Sequence, residues 1–529
     1  MKVAFAAVAV ALAAPGVARA AGATLTMREV PLHADRVVAS AGTPRTFDLV
    51  GLHWLGSGSV SFSTHSVAGR WSPWHAAAPE SEDQPDRGSP ETMRSGRWRL
   101  GNPYWTGPAN AIRYRLRGKV GRLRAYFVRV PTERTPLRAL SIAGSPAIVS
   151  RLGWSANERI RREKPRYATA LRFSLVHHTA GSNNYSPTQS AAIVRAIELY
   201  HVQGNGWDDI GYNFLVDKYG QIFEGRYGGE QRPVIGAHAQ GFNTGSVGVA
   251  VIGSYNAKAP PPAAQQALAS LLAWRLDIAH IDPRSSLTWI SGGNPRFPAG
   301  TPVFLRTISG HRDTGFTLCP GNALYRRLPA IATTVGATGL PKLYAPVAKG
   351  SIPGFVRFTA RLTAMLPWTV TVTGSLGTAV ATGSGVGTAI DWTWDASAAP
   401  KGRYYYMIGA GPGVRPATGT IGSKPPVFKL TDLIADPDVV TPNGDGVADS
   451  STISYTLSAP ATVTATLVDT MGTTVATLFD GLVAAGPQAF VFYADSIPDG
   501  TYEIVVTATS SQGVQVTGSV FVTVTRATS

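Results

Sequence analysis

The chain has 529 residues, of which 44% are hydrophobic, so it has material for packed cores and is not wholly disordered. A chain of this length should hold about three or four domains. Only 15% of the residues are charged, and 57 glycines and 38 prolines are present, which favours a β-rich, loop-rich protein over helical bundles.

The net charge of +16 is concentrated in the first part of the chain. Residues 1–340 hold 38 Lys and Arg against 20 Asp and Glu, whereas residues 341–529 hold 10 against 12. A basic first part is compatible with an anionic wall polymer or lipid as partner, or simply with an Arg-rich soluble surface. We do not expect a nucleic-acid partner, because the sequence contains no Lys/Arg block and no basic-aromatic module.

Residues 1–20 have the pattern of a secretory signal peptide. Lys2 precedes the apolar residues 3–14, and Ala18-Arg19-Ala20 offers a small-x-small cleavage site. The apolar stretch is too short to span a bilayer, and no other segment reaches that length. We therefore expect a secreted protein, extracellular or associated with the cell wall, without a membrane span.

Residues 21–140 are predicted to form an N-terminal β-sandwich domain. Short aromatic or β-branched runs at 47–54, 60–63, 113–117 and 123–128 lie between Gly/Ser turns. Residues 79–98 form a long polar loop between these runs.

Residues 146–340 mix predicted strands and helices and favour an α/β domain with a mixed sheet. Ser186, Pro187 and Gln189 occupy the N-cap, N1 and N3 positions of a predicted helix that runs to Tyr200. A second long helix is predicted from Pro262. Strands are predicted at 171–178, 212–216, 221–224 and 247–252.

Residues 345–529 contain an internal repeat. The runs Gly-Thr-Ala-Val-Ala-Thr at 377–382 and Gly-Thr-Thr-Val-Ala-Thr at 472–477 lie 95 residues apart, and each copy later has Pro-x-Gly-x-Tyr, at 400–404 and 498–502. The spacing predicts two tandem β-sandwiches, at 345–425 and 427–529. They resemble the immunoglobulin-like (Ig-like) modules named after the flagellar hook-capping protein, which are common C-terminal appendages of secreted bacterial proteins.

Residues 443–449 have the sequence Asn-Gly-Asp-Gly-Val-Ala-Asp. Side chains with oxygen donors alternate along this segment, as they do in part of a calcium-binding loop. A late bidentate Glu is missing, so a turn built on Asn-Gly and Asp-Gly is the favoured interpretation over a calcium site.

Three side chains of the middle domain form a candidate metal site: His177, His311 and Cys319. Imidazole and thiolate are preferred zinc ligands, and three protein ligands leave a fourth position open for water. Cys319 is the only cysteine of the chain, so an internal disulfide is excluded. His177 and His178 point to opposite faces of an extended strand, so at most one of them is a ligand. From the residues alone, a buried Cys and ordinary strand histidines are the alternative interpretation.

Six motifs in one order resemble the peptidoglycan recognition protein family, which is similar to the zinc amidases of bacteria and phage. The resemblance covers residues 146–335. The motifs are Ile-Val-Ser-Arg at 148–151 with Trp154, Leu-Val-His-His-Thr-Ala-Gly at 175–181, Gly-Trp-Asp-Asp-Ile-Gly-Tyr-Asn-Phe at 206–214, Gly-Ala-His at 236–238 through Phe-Asn at 242–243, Ser-Val-Gly-Val-Ala-Val-Ile-Gly at 246–253, and Gly-His-Arg-Asp at 310–313 through Cys-Pro-Gly at 319–321.

The resemblance implies a role for each matched position. It makes His177, His311 and Cys319 the ligands of one Zn²⁺ per chain. It makes Tyr212 the catalytic tyrosine, beside the water or the developing oxyanion. It puts Thr317 at a position where phage relatives have Lys and animal relatives have Thr, so we treat Thr317 as a second catalytic residue. Further matched positions touch the muropeptide in the family's groove: His178, Thr179, His201, His238 and Asn243. For His201 and His238, packing is the alternative role.

The implied activity is that of an N-acetylmuramoyl-L-alanine amidase, which hydrolyses the amide between muramic acid and the first L-Ala of peptidoglycan. All three ligand positions are filled, which favours an enzyme over the alternative, a non-catalytic peptidoglycan-binding protein. A purely structural adhesin ranks last. Other anionic wall polymers are a further class of partner. Residues 225–229, Gly-Arg-Tyr-Gly-Gly, depart from the family's pattern, so the stem-peptide type is left open.

Overall fold

The structure is a computed structural model, and it describes residues 22–32, 37–39, 44–78, 82–131, 137, 139–141, 144–375, 377–423, 428–510 and 514–526. The chain divides into two compact units, Met1–Tyr344 and Ala345–Ser529. The predicted signal peptide at 1–20 lies outside the described residues. Among those residues, no helix combines the length and the apolar character that a bilayer crossing requires.

Within its described residues, the first part of the first unit contains eight strands and one short helix. The strands are β1 Thr24–Glu29, β2 Val37–Ala39, β3 Phe47–Leu55, β4 Ser59–Ser66, β5 His75–Ala76, β6 Arg99–Leu100, β7 Tyr104–Arg117 and β8 Arg122–Arg129, and helix α1 spans Pro90–Ser95. The sheet order is β1-β8-β3-β7-β4-β5, with β2 paired to β7 and β6 paired to β3. Helix α1 lies inside the predicted polar loop, where Ser89 caps it and Pro90 occupies its first turn.

The β-sandwich that we predicted for residues 21–140 stays a prediction. Strand pairing among the described residues joins all eight strands in one sheet, and β7 pairs with β3 along one half and with β4 along the other. One face of the sheet has its own core, which includes Phe47 and Val50. The opposite face contributes Leu49 and Val128 to a core shared with helix α2, Ser190–Leu199. Helix α2 thus covers the face of the sheet that lies opposite the core containing Phe47 and Val50.

The second part of the first unit is an α/β domain. Its strands are β9 Ile148–Val149, β10 Phe173–His178, β11 Phe214–Val216, β12 Ile222–Glu224, β13 Ser246–Val251, β14 Ser286–Ile290, β15 Pro302–Arg306 and β16 Ile308–Gly310, and its further helices are α3 Pro262–Ile278, α4 Asn322–Tyr325 and α5 Leu328–Ala337. The main sheet has the order β16-β10-β13-β11-β12-β9, and β14 and β15 form a separate hairpin. Only the β11–β12 pair of the main sheet is antiparallel among the described pairings, so the sheet is mixed.

Helices cover both faces of this mixed sheet. Helices α3 and α5 pack with Val176 and Val249 on one face. Helix α2 packs with Leu215 and Ala250 on the other face, and it also packs against the N-terminal sheet. Because α2 is buried along its whole length, it joins the two parts of the first unit into one body.

Helix α2 ends one residue earlier than predicted, at Leu199, and continues as a π-helix, Tyr200–Gly204. The Tyr200 hydroxyl donates to the Gly101 carbonyl at 2.6 Å and lies 3.0 Å from His53 Nε2. The Tyr200 ring occupies the space beside Gly51 of β3, where a Cβ would lie 2.0 Å from the ring. The π-helix thus begins at Tyr200, the residue that contacts the N-terminal sheet.

The second unit contains thirteen strands, counted among the described residues. The first five are β17 Leu343–Gly350, β18 Phe355–Thr373, β19 Ala379–Asp395, β20 Arg403–Ala410 and β21 Ala417–Gly422, and β17 begins at the unit boundary. These five strands form one sheet with the order β17-β18-β20-β21, in which β19 pairs with β18. The rest are β22 Leu430–Asp436, β23 Val439–Val440, β24 Ser450–Leu457, β25 Ala461–Val468, β26 Thr474–Val483, β27 Gly486–Tyr493, β28 Gly500–Ser510 and β29 Gln515–Val524, in the sheets β22-β24-β27 and β23-β29-β28-β25-β26.

The two repeats share a tyrosine contact. The Tyr404 hydroxyl donates to the Pro400 carbonyl at 2.9 Å, and the Tyr502 hydroxyl donates to the Pro498 carbonyl at 3.0 Å. A tyrosine hydroxyl bonded to the backbone a few residues upstream is a feature of immunoglobulin-like sandwiches. In the second repeat, both sheets share one core, which contains Ile453 and Val463.

Residues 443–449 form a turn that is bonded within itself. The Asp449 carboxylate accepts from the backbone N–H groups of Asn443, Gly444 and Gly446 at 2.8–3.0 Å. Asp445 Oδ1 accepts from the Val447 N–H at 2.8 Å. These are bonds of a turn built on Asn-Gly and Asp-Gly, the interpretation that the sequence favours.

Candidate metal centre

The three predicted ligands come together at one edge of the mixed sheet. Strands β10 and β16 are parallel neighbours, with Val176 opposite Gly310, so His177 and His311 leave the sheet side by side. The chain then turns through a 3₁₀ helix, His311–Asp313, and returns with Cys319. The ligand atoms of His177, His311 and Cys319 all lie within 4.8 Å of one another, and the three residues are buried.

His177 and His178 face opposite sides of β10, as the strand geometry predicts. His177 Nδ1 lies 3.7 Å from Cys319 Sγ. His178 Nδ1 instead accepts from the Tyr255 N–H at 3.1 Å, and the His178 backbone N–H donates to Cys319 Sγ at 3.4 Å. Only His177 of this pair belongs to the ligand group.

His238 fixes the orientation of the His177 ring. The Nδ1 atom of His238 lies 3.1 Å from His177 Nε2. The other ring nitrogen of His177, Nδ1, therefore faces Cys319. Burial, and then the neighbouring His177, lower the pKa of His238 well below its usual value, so His238 is neutral. Gly248 makes this contact possible, because a Cβ there would lie 2.3 Å from the His238 ring. Such a partner sets the tautomer of a ligand histidine.

Tyr212 lies beside the ligand group, but its hydroxyl is bonded to a residue of the N-terminal part. It donates to Asp83 Oδ2 at 2.7 Å. The other carboxylate oxygen, Asp83 Oδ1, lies 2.9 Å from His311 Nδ1 and 3.2 Å from His177 Nδ1. Burial acts to raise the pKa of Asp83, but the imidazoles of His311 and His177 outweigh it and hold this pKa well below its usual range. We did not predict Asp83 as a site residue.

The donor set and its spacing fit a zinc ion. A tetrahedron with bonds of about 2.1 Å has edges of about 3.4 Å. Three of the six distances among Asp83 Oδ1, the two imidazoles and Cys319 Sγ are 2.9, 3.2 and 3.7 Å, close to such edges, and the three ligand atoms of His177, His311 and Cys319 lie within 4.8 Å of one another. Asp83 Oδ1 is buried, and its neighbours are the imidazole nitrogens of His311 and His177, which would bind the cation.

Thr317 lies on the loop before Cys319 and is half-buried. Its Oγ1 accepts from the Cys319 N–H at 3.0 Å, which orders the turn that carries the sulfur. Its predicted catalytic role stays a prediction.

The five predicted groove residues are all buried. Thr179 Oγ1 accepts from the Gly253 N–H at 2.9 Å. His201 Nδ1 accepts from the Gly211 N–H at 3.1 Å, next to Tyr212, and burial lowers the pKa of His201 to about 3. Each of the five residues predicted to contact the muropeptide is at most 4% exposed, and this contact stays a prediction. The residues are His178, Thr179, His201, His238 and Asn243.

The fold and the site define an α/β domain with a buried candidate metal centre at the carboxyl ends of two parallel strands. A family model described as N-acetylmuramoyl-L-alanine amidase matches residues 167–322. Peptidoglycan-recognition protein SC2 of Drosophila simulans is 33% identical over 183 residues, which are 34% of this chain and 84% of that protein. The N-acetylmuramoyl-L-alanine amidase of Sus scrofa is 33% identical over 192 residues, 35% of this chain and 27% of that protein.

Among solved structures, wild-type Drosophila PGRP-LB has 27% sequence identity and a TM-score of 0.27, over 34% of this chain and 91% of that one. The chain belongs to the family of peptidoglycan-recognition proteins and N-acetylmuramoyl-L-alanine amidases. The matched part is the α/β domain, and the flanking β-rich parts lie outside the match.

Proposed function

We propose that this protein is a secreted, zinc-dependent N-acetylmuramoyl-L-alanine amidase that hydrolyses the amide between muramic acid and L-Ala in peptidoglycan. The observation that carries the proposal is the group of His177, His311 and Cys319, whose ligand atoms lie within 4.8 Å of one another. One Zn²⁺ per chain would bind there, where it lowers the pKa of a bound water to about 7 and polarises a carbonyl.

The chain's own groups have matching tasks in this proposal. The Tyr212 hydroxyl donates to a carboxylate oxygen at 2.7 Å, so it can donate equally to the oxyanion that develops when the amide is attacked. His238 holds the His177 ring, and the His178 N–H donates to the Cys319 sulfur, so the ligands are oriented before substrate arrives. Thr317 orders the loop that carries the sulfur.

The flanking parts are proposed to position the enzyme in the wall. The basic charge of residues 1–340 suits anionic wall polymers, and the tandem repeats at 345–425 and 427–529 are proposed to be Ig-like modules. Export through the predicted signal peptide at 1–20 would bring the chain to this substrate. Sequencing the N-terminus of protein recovered from the medium tests export: a start near Ala21 is expected, and an intact Met1 start contradicts it.

The activity is tested with purified sacculi. The zinc-loaded chain, the Asp83→Ala variant and the Cys319→Ala variant are incubated with sacculi with and without a chelator, and soluble products are identified by mass spectrometry. We expect zinc-loaded chains that retain Cys319 to release free stem peptides that begin with L-Ala. The chelator should abolish this release. If neither the native chain nor Asp83→Ala releases more than Cys319→Ala does, the alternative holds, and the protein binds peptidoglycan without hydrolysing it.

A further inference from the structure

Asp83 lies between the two ligand imidazoles and the hydroxyl of Tyr212. One of its carboxylate oxygens contacts both ligand imidazoles, at 2.9 and 3.2 Å, and the other accepts the Tyr212 hydrogen bond at 2.7 Å. A three-ligand zinc site keeps its fourth position for water or substrate, and a site with four protein ligands is closed. A carboxylate oxygen of Asp83 thus lies beside the two ligand imidazoles, and the Tyr212 hydroxyl is engaged by the other oxygen.

The residues around Asp83 are bonded along the predicted groove. Glu82 Oε1 accepts from the Phe316 N–H at 2.9 Å, on the loop between His311 and Cys319. The Asn243 side-chain amide donates to the Gln84 carbonyl at 3.0 Å and to Asp86 Oδ1 at 2.8 Å. The amide of Asn243, which we expected to contact the muropeptide, is thus used by this segment.

Helix α1 anchors the other end of the segment. Glu91 is 1% exposed, and both of its carboxylate oxygens accept from Arg226 Nη2 at 2.9 Å. Arg94 donates to the Gly206 carbonyl at 2.7 Å and forms an ion pair with Asp208. A segment tethered in this way acts at an effective concentration of about millimolar or higher, so even weak contacts keep it in place.

We propose that Asp83 is a fourth ligand of the metal ion and that residues 82–94, the inhibitory segment, keep the enzyme latent until they are displaced. The proposal rests on the proposed amidase function. Displacement removes the carboxylate from the metal and from Tyr212, and it frees the Asn243 amide. The activating event is therefore one that pulls residues 82–94 out of the groove.

Cobalt substitution tests the ligand assignment without relying on activity. The visible bands of Co²⁺ report its coordination, and azide binds a position that protein ligands leave open. We expect added azide to change the spectrum of Co²⁺-loaded Asp83→Ala and to leave that of the native chain unchanged. Asp83→Asn, which keeps the size of the side chain, serves as a second variant, and Glu29→Gln, on the exposed edge of β1, is the matched control. An equal azide response in the native chain and both Asp83 variants overturns the proposal.

Release of stem peptides from sacculi then tests latency. Asp83→Ala is expected to act at least about tenfold faster than the native chain, and Glu29→Gln is expected to match the native chain. Equal or slower release by Asp83→Ala, with a native circular dichroism spectrum, overturns the inhibitory role. If no chain releases peptide but azide responds only in the Asp83 variants, the fourth ligand stands and the proposed amidase function fails.

Discussion

His177 and His238 face each other through ring nitrogens that lie 3.1 Å apart, and a Cβ at residue 248 would lie 2.3 Å from the His238 ring. His238 is neutral and fully buried, and we expect it to hold the His177 ring.

Substitution of His238 should therefore weaken metal binding. Loss of a residue that orients a ligand lowers metal affinity by about 10–100-fold. We expect this loss for His238→Ala and for Gly248→Ala, whose Cβ would displace the ring, in competition titrations with a zinc chelator. His65→Ala, on the N-terminal sheet, is the control. An unchanged zinc affinity in both variants would show that His238 does not support the ligand.

Tyr212→Phe should impair turnover more than binding. Removal of one oxyanion donor typically costs about 100–1,000-fold in kcat. The experiment uses the Asp83→Ala background, where the tyrosine is not engaged, and compares Tyr212→Phe with Tyr104→Phe of the N-terminal sheet. We expect a lower kcat with little change in KM on soluble muropeptides. A change confined to KM would assign Tyr212 to substrate binding instead.

Arg151 compensates two buried carboxylates, those of Glu198 and Asp209, and also pairs with the exposed Glu158. It contacts Glu158 at 2.6 Å, Glu198 at 3.0 Å and Asp209 at 3.2 Å, and its side chain is 4% exposed. Removing one partner of a buried ion pair costs about 3–5 kcal/mol. Arg151→Met should lower the free energy of unfolding by this amount in urea titrations, whereas the exposed Arg159→Met should change it by less than about 0.5 kcal/mol. Equal effects of the two substitutions would contradict this account of the cluster.

His53 should make stability fall in mild acid. Burial lowers its pKa from 6.5 to about 4, opposed by a hydrogen bond with Asn205 and assisted by the charge of Arg124. Below pH 6.5 the unfolded chain binds a proton at this position and the folded chain does not, so stability is lost as pH falls from 6.5 to 4. Across that interval the loss is roughly 3 kcal/mol. His53→Gln should flatten the dependence of Tm on pH between 7 and 4, and the same slope as the exposed-site control His65→Gln would refute the assignment.

Much of the α/β domain is visible in the sequence because its signals are local. Strand β10 is an apolar run that carries His177, and Ser186, Pro187 and Gln189 mark a helix start, with Gln189 Oε1 accepting from the Ser186 N–H at 2.8 Å. The ligand residues lie in recognisable motifs, and parallel pairing of β10 with β16 brings them together.

Asp83 was missed because no local pattern distinguishes it from solvent-exposed acidic residues. It lies in a polar stretch of the N-terminal part, and its contacts depend on how that part packs against the α/β domain. The signals that could have found the segment are the Ser89-Pro90 helix start and a cluster of acidic residues within an otherwise basic region. The packing of helix α2 against the N-terminal sheet was not predicted for a related reason, because strand alternation does not reveal whether a sheet or a helix covers a buried face.

Zinc analysis combined with X-ray absorption spectroscopy tests the central claim most directly. The account expects one zinc per chain, bound by one sulfur and two imidazoles together with oxygen, and loss of this zinc in Cys319→Ala. A chain that binds no zinc, or whose zinc spectrum shows no sulfur and is unchanged by Cys319→Ala, would contradict it.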